Sequence, residues 1–246
     1  MVSPDCTAAL LGAHARGSQR KSFSISSILN EELKTAMSVE IQVIFHSLYG
    51  HVYRLAEAIA EGAREVDDVE AIVFQVAETL PAEVLEKMGA VEPRKAFAHI
   101  PIAQPKRLAE AGAIVLGSPT RYGAATAQMR AFLDATGGLW ASGALIGKVG
   151  GAFTSTASQH GGQETTLLTM STFFFHQGMA IVGVPYSSKE LLYLNEASGG
   201  TPYGASTIAG SRGERQPTTN ELAIARAQGR HVAQFARRLK AQTGGS

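Results

Sequence analysis

One cysteine, Cys6, is all that this chain of 246 residues carries. No disulfide can form within it, and a secreted, cross-linked fold gains no support. No uninterrupted apolar run reaches the roughly 18 residues a membrane-spanning helix needs. Neither sign of charge dominates, since 22 Lys and Arg stand against 21 Asp and Glu. Without an overall field to draw polyanions or acidic surfaces, neither nucleic acid nor membrane is an expected partner. The first strand-to-helix turn lacks both Gly-x-Gly-x-x-Gly and Gly-x-x-x-x-Gly-Lys, which argues against a Rossmann nicotinamide enzyme and a P-loop NTPase. A content of 45% hydrophobic and 17% charged residues is that of an ordinary globular core. A soluble, cytoplasmic protein is the expectation.

The apolar period alternates between strand and helix from Val39 onward, as in repeated βα units. Strands are expected around Ile41–Phe45, Glu70–Ala77, Ala113–Gly117, Gly150–Phe153 and Ala180–Val184. Helices are expected over Val52–Glu65, Ala127–Leu133 (stopped by Gly137-Gly138), Gln163–Gln177 and Asn220–Lys240. The fold class is α/β: a doubly wound five-stranded parallel sheet, in the order 2-1-3-4-5 by type. A long excursion, Tyr186 to Thr219, follows the fifth strand, and loops of that length are usually functional or form interfaces. Residues 1–37 are expected to be a flexible N-terminal extension, Met37 being an alternative start, and residues 38–246 a single domain.

Three apolar runs end in loops of small, hydroxyl and glycine residues, which parallel strands would bring to one edge of the sheet. Open parallel sheets bind ligands in the crevice beyond that edge. In the first loop, Ser47-Leu48-Tyr49-Gly50-His51-Val52, unpaired amides at a helix start make an anion cradle; the competing reading is an ordinary turn capped by Ser47. In the second, Thr120, Arg121 and Tyr122 suit contacts to a flat ring, or form a structural turn with a solvated Arg121. The third, Ser155-Thr156-Ala157-Ser158-Gln159-His160-Gly161, is costly to order unless it grips something. His160 and His176 are polar candidates whose alternative is a structural histidine, and Trp140 has core packing as its alternative.

The blocks Ser47–Val52, Ser118–Gly123, Thr136–Leu145, Gly161–Thr165 and Gly199–Ala205 together resemble the WrbA family, flavodoxin-like NAD(P)H:quinone oxidoreductases that use FMN. The resemblance runs from about Ile41 to the C-terminus. It implies that Ser47, Leu48, Tyr49, Gly50, His51 and Val52 hold the FMN phosphate, with Tyr49 also touching the nicotinamide cofactor. Thr120, Arg121 and Tyr122 would line the isoalloxazine, Ser155 to Gly161 would contact its polar edge, and His176 would complete the flavin site. Trp140 would meet the substrate. The Ser155 loop is a residue longer than in some members, and Gln177 follows His176 where some relatives carry a second histidine.

The activity implied is two-electron reduction of quinones by NADH or NADPH, a ping-pong hydride transfer through the flavin, in a homotetramer that protects against oxidative stress. The alternative is a flavodoxin-type single-electron carrier. Such carriers are usually small and acidic, unlike this chain.

Overall fold

The computed structural model describes residues 38–243; the extension expected over residues 1–37 lies outside them. Six strands form one parallel sheet: β1 (Val39–Phe45), β2 (Val69–Gln75), β3 (Ala113–Pro119), β4 (Val149–Thr156), β5 (Ala180–Ile181) and β6 (Ser206–Ile208). Their order is β2-β1-β3-β4-β5, with β6 also pairing with β4. The helices are α1 (His51–Arg64), α2 (Ala82–Lys87), α3 (Val91–Arg94), α4 (Ala127–Asp134), α5 (Gly137–Ser142), α6 (Gln163–His176) and α7 (Thr219–Thr243). None of them is long and apolar enough to cross a membrane.

Side chains alternate across the strands, and the sheet therefore separates two cores. Ile41, Val43, Phe45, Val115 and Phe153 pack with Leu55 and Ile59 of α1 and Val232 of α7. Ile44, Ile114, Leu116 and Ala152 face the other way, onto Met129 of α4 and Met170 and Phe174 of α6. Both faces of β1, β3 and β4 are thus covered, which is why these strands read as continuous apolar runs.

The expected strand order is observed, and the excursion sits differently within it. It divides the fifth strand instead of following it. β5 pairs with Val149 and Gly150 at the start of β4, whereas β6 pairs with Thr154 to Thr156 at its end. The chain leaves the sheet after Val182, whose amide still bonds Gly150 O, and returns at Ala205, whose carbonyl accepts from Thr154 N. Two glycines permit the crossing. A Cβ on Gly183 or on Gly204 would lie 2.0 Å from the Pro202 or the Ala152 carbonyl oxygen. Gln228 of α7 closes the gap, donating to Ala152 O and accepting from Ala205 N, both at 2.9 Å. A second difference is α5, where Gly137-Gly138 opens a further short helix instead of stopping one.

Candidate active site

The carboxyl ends of β1, β3, β4 and β6 meet in a cleft of about 220 Å³. Its floor is the turn from β1 into α1. Gly50 has φ +90°, a left-handed conformation that L side chains rarely adopt, and it leaves α1 without a side-chain cap. The amides of His51, Val52 and Tyr53 consequently have no partner within the helix. Ser47 Oγ accepts the Gly50 amide at 3.0 Å, leaving its hydroxyl proton for a ligand.

The turn is held from beneath. Phe45, Tyr53 and Phe97 form an aromatic cluster with ring centroids 5.3–5.6 Å apart, tying β1 to the first turn of α1. Arg94 donates to Ser47 O at 2.9 Å and pairs with Glu78 at 3.2 Å. Buried His46 bridges Glu78, at 3.2 Å, and the hydroxyl of Thr126, at 3.1 Å. Burial pushes His46 below the ordinary imidazole value, outweighing the hydrogen bond and charge of Glu78. For Glu78 burial works upward, but hydrogen bonds from Leu80 N, Gln128 and His46 hold it below the ordinary carboxylate value.

The walls come from the other strand ends. Thr120 N donates to Ser155 O at 2.9 Å, and Thr166 donates to the Thr120 hydroxyl at 2.8 Å. These bonds fix the second and third loops relative to each other. His51 is buried, and its Nε2 has no hydrogen-bond partner among the described residues. Burial lowers its basicity against the raising pull of the Arg215 and Gly213 backbone and of Glu221, so the ring is neutral near pH 7. Among the described residues no carboxylate lines the cleft, whereas Arg121 and Arg212 do.

Of the sequence candidates, Ser47, Leu48, Tyr49, His51, Val52, Thr120, Arg121, Ser155, Thr156 and Ala157 line this cleft. Gly50 forms the turn itself. Ser158, Gln159, His160 and Gly161 are exposed and lie outside the lining. Tyr122, at φ +53°, is fully exposed. Trp140 and His176 stand apart. His176 ends α6, which starts beside the cleft at Gln163 and runs back along the sheet for 14 residues, roughly 20 Å at the helical rise. Trp140, on α5, is 62% exposed, and α5 is fastened to that far end by Gln177 Nε2, 3.3 Å from Thr136 Oγ1.

One wall was not anticipated: Ala209, Gly210, Ser211, Arg212 and Gly213. It follows β6, so it reaches the carboxyl edge only because the fifth strand is divided. The Ala-Gly-Ser-Arg-Gly composition is the local signal for it.

Residues 39–190 match a family described as NADPH-dependent FMN reductase. The chain belongs to that family. It is 58% identical over 202 residues to an NAD(P)H dehydrogenase (quinone) of Geobacter metallireducens, covering 82% of this chain and all of that relative. A protein of the same name from Geobacter sulfurreducens is 59% identical over 201 residues, 82% of this chain and 99% of that one. Among solved structures, a flavodoxin, WrbA-like protein from Agrobacterium tumefaciens is similar with a TM-score of 0.55 and 27% identity, over 82% of this chain and 99% of that one. The family's cofactor fits the cleft: the free amides of α1 and the Ser47 hydroxyl suit a phosphate, and the orphaned His51 Nε2 lacks a partner that a ligand can supply.

Proposed function

We propose that the protein is an FMN-dependent NAD(P)H:quinone oxidoreductase. The observation that carries this reading is the cradle at the start of α1, lined among the described residues by donors and no carboxylate, beneath a cleft bounded by four strand ends. Bound FMN would supply the two-electron chemistry, accepting from NADH or NADPH and delivering to a quinone. Ser47 and the free amides of His51 and Val52 hold its phosphate, with Leu48, Tyr49 and Gly50 shaping the turn, helped by the α1 dipole. Neutral His51 takes one of its polar atoms. Thr120 and Arg121 line the ring, and the Ser155–Ala157 segment meets its polar edge with donors that hold negative charge, as an oxyanion hole does. Tyr122, Ser158, Gln159, His160 and Gly161 form the outer rim. One face serves donor and quinone in turn, which gives ping-pong kinetics.

Trp140 and His176 cannot serve the cleft of their own chain across the length of α6. In a homotetramer they reach the flavin of a neighbouring copy, Trp140 toward the quinone and His176 toward the cofactor. The single cysteine and the lack of a spanning helix among the described residues support work in the cytoplasm.

Anaerobic titration tests the reading. The purified, FMN-loaded protein is expected to lose its yellow colour on adding NAD(P)H and to regain it with a quinone. A protein that ignores NAD(P)H is the single-electron carrier instead, and one that takes up no FMN is neither.

A further inference from the structure

The cradle at the start of α1 is built from neutral donors: the Ser47 hydroxyl and the free amides of His51 and Val52. The helix dipole adds only about half a positive charge. A phosphate monoester brings roughly −1.5 to −2 near pH 7, and such charge held in a cleft calls for a cation. We propose that Arg212 is that cation, closing from the 209–213 wall onto the FMN phosphate. The inference rests on the oxidoreductase reading above.

Three observations carry it. The first is place. Gly213, at φ +74°, lies directly on the cradle, where a Cβ would sit 3.4 Å from His51 Cε1 and 3.6 Å from Tyr49 Cγ. Arg212 is its chain neighbour and lines the cleft. The second is a fixed backbone. Gly213 N donates to Gly210 O at 3.2 Å, Arg215 N to Ala209 O at 2.8 Å, and the Arg212 amide to the Glu214 carboxylate at 2.8 Å. The His51 ring is bonded in turn to the backbone of Arg215 and Gly213, so wall and cradle keep their spacing.

The third is availability. Arg94, beneath the turn, is engaged by Ser47 O and Glu78. Arg121 donates to Thr120 O at 2.8 Å, in the second loop. Among the described residues the Arg212 guanidinium forms no hydrogen bond or ion pair. Its planar fork is therefore open to phosphate, which guanidinium binds bidentately.

Riboflavin, which lacks the phosphate, separates an ion pair from a merely shaped wall. Fluorescence titrations of the full chain freed of flavin compare it with FMN. Arg212→Ala should bind FMN about tenfold or more weakly, as expected for a lost charged hydrogen bond, and riboflavin as well as the native protein does. Arg212→Lys, which keeps the charge without the fork, should recover part of the loss, and Arg212→Glu should bind FMN more weakly than the alanine variant. Rising salt should weaken FMN binding more steeply in the native protein than in Arg212→Ala, because screening acts on a pair that only the former makes. An FMN affinity unchanged in Arg212→Ala, equal salt slopes, or riboflavin weakened as much as FMN overturns the proposal. Native protein that takes up neither flavin would instead defeat the oxidoreductase reading.

Discussion

Arg215 Nη1 lies 3.0 Å from the carboxylate of Glu221, which is completely buried at the start of α7. The same carboxylate accepts the amides of Gly199, Ile208 and Thr218 and the hydroxyl of Thr207. One side chain thus ties the end of the excursion, β6 and α7 together, and the segment it encloses, 209–213, is a wall of the cleft. Breaking a buried ion pair costs about 3–5 kcal/mol, because the surviving partners are left unsatisfied. Glu221→Ala is expected to lose that much in chemical denaturation and to weaken FMN binding with it. Glu221→Gln, which keeps an acceptor, should lose less. A loss under about 1 kcal/mol for the alanine variant would show that the wall is held by something else.

His51 separates binding from stability. Its buried Nε2 has no partner among the described residues, so the apo protein already bears the desolvation of that atom. His51→Leu relieves that desolvation but gives up the ring's interaction with the Arg215 and Gly213 backbone, so apo stability should change by less than about 1 kcal/mol, while FMN affinity falls about tenfold, the loss of one hydrogen bond of about 1.4 kcal/mol. Thermal melts of apo protein and fluorescence titration with FMN measure the two. A parallel fall in both would make His51 a structural residue.

Acid should destabilise the apo protein in a defined window. His46 and His51 both sit below the ordinary value of 6.5 because of burial. The unfolded chain therefore binds more protons than the native one, and stability rises with pH. The stabilisation is fully present above 6.5 and is lost as pH falls through the lower native values; lowered Glu78 adds a further loss below 4.5. Around His46 the facing groups are Glu78, which pulls its basicity up, and Arg94 and Arg121, which push it down. Melting temperatures recorded from about pH 7.5 to 5 should drop, and His46→Gln should flatten the slope. A flat profile in the native protein would count against the burial argument.

How far these features were legible follows from the range of the forces that set them. β1, β3 and β4 announce themselves because burial on both faces demands continuous apolar residues, and the cradle does so because Ser47, Gly50 and the helix start are neighbours in sequence. The fifth strand misled: Ala180 to Val184 has strand composition throughout. What ends it is the close approach of Gly183 to Pro202 and of Gly204 to Ala152, contacts between segments some twenty to fifty residues apart. The 209–213 wall depends on the same return of the chain and was invisible for the same reason. At Gly137-Gly138 the usual breaker signal failed because Leu139 and Trp140 amides bond Thr136 O, carrying the turn through.

The amino end of the sheet yields the last prediction. Trp140, Ile146, Phe175 and His176 are all exposed there, whereas a solvated helix end would ordinarily carry polar residues. If these side chains serve a neighbour's flavin, two defective chains can repair each other. Gly50→Trp should abolish FMN binding, because φ +90° suits glycine and the ring would fill the cradle. Trp140→Ala with His176→Ala should keep its own cradle and lose quinone turnover. Co-assembled, the second chain offers an intact cradle and the first an intact Trp140 and His176, so mixed oligomers should recover quinone reductase activity that neither parent has. Recovery requires that the two halves of the site come from different copies; mixtures as inactive as their parents, in oligomers shown by native mass spectrometry to be hybrid, would place the whole site within one chain.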